Sequence, residues 1–466
     1  MDAARRRPRP PRARRAAGRS PVVMSSIRWS AGVVLAVLLG AFVFPLGCGQ
    51  GPKPPPAAVA APVVRVRVLT DATGAKLVAS TLAKPVLVRA AGGQAVRLNL
   101  PVNAFVPVSL TPAGWQVGGA ALGGTGDLTL EADPEGSVAL ADASAARPAD
   151  ARAYRGSLRF VPTAKPGSAA KAGAADKAGA FDAVNHVLVD DYLKGVLAAE
   201  LYPEFAPEAY KAQAIAARTY AIYAARTAPD GRHWDLHSDT RSQMYGGVKS
   251  ETPKSVLAAV ETAGVVLAFG PAGEERIFKA YYSSCCGGAT QTPQEGLGES
   301  TPGPYAARSV GRRCDVTAGR YKAKFDWGPV VVSRDELARR FKAWGRNNYP
   351  AFQKLVGVRK VEVARTNAAG RPTQFAVEDT RGARFLLGSE QLRLAVNYEA
   401  PEKDKLPSAF VTPVTEGPNV RFADGHGFGH GVGLCQWCIE AEARQGLGHE
   451  AIVRDAYPGA VLVKGY

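Results

Sequence analysis

The stretch GVLAAELYPEF, residues 195–205, carries a carboxyl group where a helix would place an apolar side chain. Leu193, Val196 and Leu197 recur at helical spacing, and Glu200 follows Val196 by four residues and Leu193 by seven. Burial disfavours the charged form of a carboxyl group and raises its pKa. We therefore expect Glu200 either to have a cationic partner or to act as an acid with a proton to give.

The next segment, APEAYKAQAIAARTYAIYAAR, predicts a helix that begins at Pro207 and is apolar or small almost all round. Such a helix is central in a fold, so its polar members Lys211, Gln213 and Arg218 need partners. They either form a structural set of ion pairs, with Arg218 or Lys211 as the cation for Glu200, or they line a polar groove that crosses the core.

Five of the six cysteines follow the first 50 residues, at positions 285, 286, 314, 435 and 438. In an oxidising compartment disulfides are the expected state, and an odd number leaves one thiol over. Cys435 and Cys438 form a Cys-x2-Cys pair that is also compatible with a zinc site, but no second such pair and no His-x3-His helix accompanies it. Because an oxidising compartment promotes disulfide formation, we favour disulfides over a metal site for these cysteines.

The elements that must position these residues indicate an α+β fold. Residues 63–162 predict a β-rich N-terminal region, because VVRVRVL, KPVLVRA, VRLNL and GSLRFV alternate between turn residues. Residues 163–180 read as a low-complexity flexible insertion. Residues 181–310 and 311–466 then mix helices such as SRDELARRFKAW with antiparallel-style strands such as RIFKAYYSS and KVEVART.

Residues 1–48 predict an export signal, because an Arg-rich leader precedes a run with no charge between Arg28 and Cys48. The ending PLGC resembles a bacterial lipobox with Pro45 where Leu is usual, and it makes Cys48 the expected lipidated first residue. The alternative is an uncleaved anchor, since the run can just span about 30 Å of hydrocarbon. Residues 49–62 form a Pro-rich linker. We expect the chain in the cell envelope, anchored to the membrane.

The composition excludes a disordered protein, since 466 residues with 46% hydrophobic content can bury a large core. Nine Arg and one Asp lie in residues 1–48, so this segment carries nearly half of the net charge of +17. Beyond it, basic residues alternate with acidic ones and form no stripe interleaved with aromatics. Nucleic acid is therefore not an expected partner, whereas an anionic polymer such as cell-wall glycan is compatible.

Four motifs together resemble the sporulation stage II D (SpoIID) and LytB family: YLKGVLAAELYPEFAPEAYKAQAIAARTYA, SQMYGGV, AYYSSCCGGAT and GHGVGLCQW. The resemblance implies a SpoIID-like core in residues 181–310 and a C-terminal half, 311–466, that holds the last motif. It also implies action on peptidoglycan glycan strands. The implied activity is lytic transglycosylation between MurNAc and GlcNAc with anhydro-ring formation, or enhancement of an N-acetylmuramoyl-L-alanine amidase.

The resemblance places Glu200 at the family's catalytic position. One carboxyl group suffices for this reaction, because it protonates the glycosidic oxygen and then, as carboxylate, removes the C6 hydroxyl proton. No cofactor is expected. No metal is expected either, since Leu236 and Ser242 stand where some family members carry the cysteines of a zinc site.

Further residues are candidates for substrate binding: Lys211, Arg218, Gln243, Tyr245, Ser284, Gly287, Gly288, His430 and Gln436. The glycines of GHGFGHGVG suit a backbone that a ligand or another strand approaches closely. For His430, and for the weaker candidate His426, the alternative is a tight packing loop with buried imidazoles. His233 and His237 are expected to face solvent or to form hydrogen bonds.

Cys286–Cys314 is the favoured disulfide, while Cys435 and Cys438 pair with each other or with the remaining cysteine. Two hypotheses for function follow. The chain is an enzyme that cleaves peptidoglycan, or it is a binding module that holds glycan and stimulates a separate amidase. A purely structural envelope lipoprotein is a weaker third, because polar residues gather on otherwise apolar elements.

Overall fold

The structure, a computed structural model, describes residues 60–79, 85–91, 95–101, 103–131, 137–163, 179–315 and 324–466. The expected export signal with Cys48, almost all of the linker 49–62 and most of the insertion 163–180 lie outside the described residues. Within the part of the chain that the structure describes, no helix is both long enough and apolar enough to cross a membrane.

The helices are α1 (Val189–Glu200), α2 (Pro207–Arg226), α3 (Pro253–Glu261), α4 (Pro293–Leu297), α5 (Arg334–Asn348), α6 (Ser389–Asn397), α7 (Gln436–Arg444) and α8 (His449–Ala456). Their starts follow local chemistry. Helix α2 has Pro207 at its first position and Glu208 in its first turn, where the helix dipole favours negative charge. The Ser333 side chain accepts the Glu336 amide and so caps α5.

The strands are β1 (Val63–Ala72), β2 (Ala75–Ala79), β3 (Pro85–Ala90), β4 (Val96–Asn99), β5 (Val106–Thr111), β6 (Gly114–Val117), β7 (Ala120–Gly123), β8 (Leu128–Glu131), β9 (Val138–Asp142), β10 (Arg152–Tyr154), β11 (Ser157–Pro162), β12 (Phe181–Leu188), β13 (Leu236–His237), β14 (Val265–Phe269), β15 (Arg276–Ile277), β16 (Tyr282–Ser283), β17 (Asp326–Trp327), β18 (Val330–Ser333), β19 (Val358–Thr366), β20 (Pro372–Asp379), β21 (Arg384–Gly388), β22 (Thr412–Glu416), β23 (Asn419–Ala423), β24 (Gly425–His426), β25 (Leu434–Cys435) and β26 (Val461–Lys464).

Two larger sheets dominate the N-terminal part of the described chain. One has the order β13-β1-β12-β11-β8-β3-β4, and the other has the order β10-β9-β2-β5-β6-β7. Neighbouring strands are antiparallel, except that β13 joins β1 in parallel. The alternation predicted for VVRVRVL is present, since Val64 and Val66 of β1 are buried in the core. The α+β class with a β-rich N-terminal region is confirmed.

Helix α2 lies in the centre of the main hydrophobic core, as its apolar circumference predicts. It packs against α1, α3, α7, α8 and β14, and its alanines at positions 212, 214, 216, 217 and 221 are fully buried. Small side chains on all sides allow these neighbours to approach closely. The helix therefore fixes the relative positions of α1 and α7, the two helices that carry the candidate site.

A second core collects residues from β18 to β23, with Phe341, Phe352 and Phe375 buried inside it. By contrast, β25, α7 and α8 return to the main core through Leu434, Trp437 and Ile452. Residues 311–466 are thus divided between the two cores. The last motif, GHGVGLCQW, is thereby brought against the elements of residues 181–310.

The RIFKAYYSS segment differs from the predicted continuous strand. Only Arg276–Ile277 and Tyr282–Ser283 pair in sheets, and the amide of Tyr281 donates to the carbonyl of Lys279 between them, at 2.7 Å. This local turn interrupts the ladder. Strand β16 then pairs in parallel with β25, which sets Tyr282 opposite Leu434 and Ser283 opposite Cys435.

Candidate active site

Glu200 is the last residue of α1, and the fold explains how it reaches this position. Strand β12 leads directly into α1, whose Leu193 and Val196 are fully buried. Leu201 is extended, so the helix ends at Glu200, and Pro203 prevents its continuation. The Glu200 side chain is half-buried. The C-terminal end of a helix dipole is negative and disfavours an ionised carboxyl group there.

Three neutral groups donate hydrogen bonds to the Glu200 carboxyl group. The Met244 amide and the Tyr282 hydroxyl reach Oε1 at 2.8 and 3.2 Å, and the Gln436 side-chain amide reaches Oε2 at 3.3 Å. The donors come from the loop after β13, from β16 and from the first turn of α7. Three segments distant in sequence therefore converge on one carboxyl group.

The alternative in which Glu200 has a buried cationic partner is wrong. Arg218 is fully buried, pairs with Asp190 at 2.8 Å and also donates to the Ala259 and Val265 carbonyls. Lys211 pairs instead with two carboxylates of the α2 and α3 surfaces, Glu208 and Glu261, at 2.8 and 2.7 Å. Among the described residues no cation lies within ion-pair distance of Glu200.

The same contacts correct the prediction that Arg218 and Lys211 bind substrate. A side chain with no exposed surface, such as Arg218, cannot contact a glycan. Its donors connect α2 to α3 and β14, which is a structural role. Lys211 serves a comparable role between α2 and α3 through Glu208 and Glu261. Lys211 and Arg218 therefore form structural ion pairs on α2, whereas the buried Gln213 side chain has no hydrogen-bond partner among the described residues.

Burial raises the pKa of the Glu200 carboxyl group above its ordinary value. The hydrogen bonds from Met244, Gln436 and Tyr282 act in the opposite direction, because they favour the ionised form, and they offset the effect of burial only in part. A carboxyl group under these opposed influences can hold a proton and can also exist as a hydrogen-bonded carboxylate. Both states are needed by a group that acts first as an acid and then as a base.

Gln243 supports this arrangement without touching Glu200. Its amide is fully buried, accepts the Tyr192 hydroxyl at 3.1 Å and donates to the Tyr282 hydroxyl at 3.1 Å. Because the Tyr282 oxygen accepts from Gln243, its own proton is directed to Glu200. The structure thus brings Gln243 and Gln436 to the Glu200 site, the first through Tyr282 and the second directly.

Tyr282 is the residue that the sequence reasoning missed. It stands in the AYYSSCCGGAT motif beside Tyr281, and the two are equivalent by residue type. The Tyr281 hydroxyl donates to Glu299 instead. The pairing of β16 with β25 decides which tyrosine faces Glu200. The sequence motif therefore indicates that a tyrosine is present at the site, but it does not indicate which of the two.

Several other predicted binding residues have packing roles. The Tyr245 side chain is buried, and its hydroxyl donates to Asn185 at 3.0 Å while its ring packs on Tyr154 and Tyr192. The Ser284 carbonyl accepts the Trp437 amide at 3.1 Å, which holds the start of α7. The structure gives neither side chain a contact with Glu200.

Gly287 and Gly288 are also corrected, from sugar contact to close packing. Both have positive φ angles, at 68° and 98°. A Cβ atom on Gly287 would lie 2.6 Å from the Gly427 nitrogen, and one on Gly288 would lie 2.8 Å from the Gly311 carbonyl oxygen. Backbone atoms of Gly427 and Gly311 therefore occupy the space where the prediction placed a sugar.

The histidines have local partners. His430 accepts the Val432 amide at Nδ1, at 3.0 Å, and burial lowers its pKa to about 4, so the imidazole is neutral near pH 7. His426 lies 2.8 Å from Asp326, and His233 lies 2.8 Å from Asp182. The His430 side chain is half-buried and accepts a hydrogen bond from its own loop, and no hydrogen bond joins it to Glu200. The hydrogen-bonded state expected for His233 is present.

The five cysteines of the described residues are buried, and none of them forms a disulfide. The sulfur atoms of Cys286 and Cys314 lie 3.6 Å apart, and that of Cys438 lies 3.9 Å from Cys286. The structure therefore has no disulfide between Cys286 and Cys314, contrary to the prediction. This separation is well beyond the roughly 2.05 Å of a disulfide bond. Cys435 and Cys438 join Cys286 and Cys314 in one cluster of four sulfur atoms.

Comparison with known proteins matches the segment that contains Glu200. The family model described as Stage II sporulation protein matches residues 177–269, which contain α1, α2 and Glu200. An uncharacterised protein of Brachyspira hyodysenteriae is 27% identical over 316 residues, which are 66% of this chain and 72% of that protein.

Two relatives carry functional names. The amidase enhancer of Bacillus subtilis is 26% identical over 58% of this chain, and the match spans 40% of the enhancer. Stage II sporulation protein D of Bacillus amyloliquefaciens is 27% identical over 59% of this chain and 74% of its own length. With its four motifs in order and Glu200 in the matched segment, the chain is similar to members of the SpoIID/LytB family.

Proposed function

We propose that this chain is a peptidoglycan lytic transglycosylase in which Glu200 is the catalytic acid and base. One observation carries the proposal. Glu200 has a raised pKa, three neutral hydrogen-bond donors and, among the described residues, no cationic partner. A structural carboxylate in such a place would be expected to pair with a cation.

In the first step, protonated Glu200 donates its proton to the oxygen that links MurNAc to GlcNAc. The bond from C1 of MurNAc to this oxygen breaks, the electron pair stays on the oxygen, and positive charge develops at C1. Glu200 becomes a carboxylate. The Met244 amide, the Tyr282 hydroxyl and the Gln436 amide then stabilise the new negative charge, and they need no reorganisation because they already point at it.

In the second step, the Glu200 carboxylate removes the proton of the MurNAc C6 hydroxyl group. The freed oxygen bonds to C1 and closes the 1,6-anhydro ring, and Glu200 is protonated again. No water is consumed. Glycosidases that hydrolyse the bond use a pair of carboxyl groups, whereas this reaction needs one.

A second candidate function is enhancement of an N-acetylmuramoyl-L-alanine amidase. The observation that favours it is the 26% identity with the amidase enhancer of Bacillus subtilis. In that case the Glu200 region would hold glycan strands without cleaving them. Polar donors around a half-buried carboxylate would then bind sugar hydroxyl groups.

Digestion of purified peptidoglycan distinguishes the two functions. The full-length chain should release fragments with anhydro ends, Glu200→Gln should release none, and Glu261→Gln should match the wild type. Glu261 is a suitable control because it is a partly exposed carboxylate paired with Lys211. If the wild-type chain releases no fragments but raises the rate of an added amidase, and Glu200→Gln raises it equally, the enhancer function is correct.

We also propose that the chain is exported and anchored in the cell envelope through a lipid on Cys48. The support is the sequence alone: an Arg-rich leader, an uncharged run and the PLGC ending. Mass spectrometry of the N-terminal peptide from isolated membranes tests it. A lipidated Cys48 at the N-terminus is the expected result, and an unmodified N-terminus upstream of Cys48 would favour the uncleaved anchor.

A further inference from the structure

Four buried cysteines from three separate segments meet at one point in the main core. Cys286 follows β16, Cys314 lies in the turn after Arg313, and Cys435 and Cys438 belong to the end of β25 and the first turn of α7. Their four sulfur atoms all lie within 4.8 Å of one another. The remaining cysteine of the described residues, Cys285, is also buried but is not part of this set.

The spacing of the sulfur atoms fits a single tetrahedral ion. Four thiolates bound to zinc at about 2.3 Å are separated from each other by roughly 3.8 Å. The Cys286 sulfur lies 3.6 Å from that of Cys314 and 3.9 Å from that of Cys438. A cluster of several iron atoms would hold its thiolates farther apart. Soft thiolate ligands in a closed set of four favour zinc.

The surroundings supply a hydrogen bond and a charge that such a site needs. The Cys286 amide donates to the Cys435 sulfur at 3.2 Å, as in the outer shell of metal sites. Arg371 is 1% exposed and donates to the Cys286 carbonyl at 2.6 Å. Among the described residues no carboxylate lies within ion-pair distance of Arg371. Four neutral thiols would leave this buried guanidinium without a counter-charge.

We propose that Cys286, Cys314, Cys435 and Cys438 bind one structural Zn²⁺. Zinc with four thiolates has a net charge of minus two, which Arg371 partly neutralises. The site has no open coordination position, so the ion acts on structure. It ties β16 and the turn at Cys314 to the start of α7.

The zinc site also positions the candidate active site. Gln436 lies between the ligands Cys435 and Cys438, and its amide donates to Glu200 at 3.3 Å. Cys286 follows Tyr282 by four residues, and the Tyr282 hydroxyl is another donor to Glu200. The metal therefore fixes two of the three groups that contact the carboxyl group, while the presence of the metal does not depend on what reaction Glu200 performs.

Metal analysis of the purified full-length chain tests the proposal. We expect about one zinc per chain, in line with a closed four-thiolate site. Cys314→Ser and Cys438→Ser should each lose most of the zinc, and Cys285→Ser should retain it. Cys285→Ser is a matched control because it makes the same substitution at a buried cysteine next to a ligand. Equal loss of zinc in Cys285→Ser would overturn the choice of ligands.

A measurement on the unmutated chain covers the case in which a ligand variant does not fold. Thiol labelling of the denatured, unreduced chain should find Cys286, Cys314, Cys435 and Cys438 all reactive once a chelator has removed the metal. Cobalt in place of zinc should give the visible absorption of a tetrahedral thiolate site. Disulfide-linked peptides that join any two of these cysteines, or iron in place of zinc, would contradict the proposal.

Discussion

The Tyr282 hydroxyl donates to Oε1 of Glu200 at 3.2 Å while it accepts the Gln243 amide at 3.1 Å. A neutral tyrosine held in this way stabilises the carboxylate more than the protonated acid, because only the carboxylate is negatively charged. Burial has the opposite effect on Glu200 and is stronger. The balance between the two leaves Glu200 able to give and to take a proton, and it can be shifted by mutation.

Glu200→Gln should reduce peptidoglycan cleavage by ~10²-fold or more, the usual scale for loss of a general acid and base. Binding of glycan strands should persist, because the amide keeps the shape of the side chain. Sedimentation of the variant with purified cell wall measures binding, and release of soluble fragments measures cleavage. Loss of binding together with cleavage would indicate that Glu200 is a binding residue.

Stability of Glu200→Gln should depend on pH in a defined direction. The pKa of Glu200 is higher in the folded state than in the unfolded state. The wild type therefore loses stability as the pH rises from the unfolded pKa through the folded pKa, and it has its full stability below the unfolded pKa. The variant lacks this loss. Urea denaturation at pH 4 and pH 8 should therefore show a stability difference in favour of Glu200→Gln that is larger at pH 8. A difference that is larger at pH 4 would contradict the raised pKa.

Tyr282→Phe should raise the pKa of Glu200 further, since it removes a hydrogen bond that lowers this pKa. The alkaline limb of the pH–activity profile reports the acid form of Glu200, so it should move to higher pH. The variant should also lose about 1 kcal/mol or more of stability. Tyr245→Phe, which removes a buried hydroxyl bonded to Asn185, should cost similar stability and leave the limb in place.

Arg218→Met should destabilise the fold by about 3–5 kcal/mol, because it removes the buried cation that pairs with Asp190 and leaves the Ala259 and Val265 carbonyls without this donor. Lys211→Met should cost no more than about 1 kcal/mol, since that pair is partly exposed. Urea denaturation measures both. Specific activity of the folded fraction should equal the wild-type value in both variants, whereas a selective loss of activity in Lys211→Met would restore its role in binding.

Acid should destabilise the chain through His430. Its pKa is lowered by burial to about 4, so the stability that it contributes is complete above the ordinary histidine pKa and is lost as the pH falls toward 4. His430→Asn keeps an acceptor for the Val432 amide and cannot be protonated in this range. The stability of the variant relative to the wild type should therefore increase between pH 7 and pH 4.5. An unchanged difference would show that His430 titrates as an exposed imidazole.

The sequence was sufficient for features that depend on local periodicity. The spacing of Leu193, Val196 and Glu200 predicted the helix and the placement of the carboxyl group, and the all-round apolar character of α2 predicted its central position. Both follow from short-range geometry. The strands of the N-terminal region were predicted for the same reason, since alternation in the sequence reflects alternation of faces in a strand.

The remaining features depend on contacts between distant segments, which periodicity does not encode. Arg218 pairs with Asp190, one helix away, so the sequence could not exclude Glu200 as its partner. The choice of Tyr282 over Tyr281 depends on β16 pairing with β25. The cysteine cluster required Cys286 to meet Cys438 across the core, whereas the sequence shows only one Cys-x2-Cys pair.

Digestion of peptidoglycan in water enriched in heavy oxygen tests the central claim most directly. If Glu200 closes the ring with the C6 hydroxyl, every new MurNAc end should be an anhydro ring that carries no heavy oxygen, and Glu200→Gln should form none. The product mass is one water lower than that of a hydrolysis product, so mass spectrometry gives both readings. New reducing ends that contain heavy oxygen, or anhydro ends formed equally by Glu200→Gln, would contradict the assignment of Glu200 as the acid and base of a lytic transglycosylase.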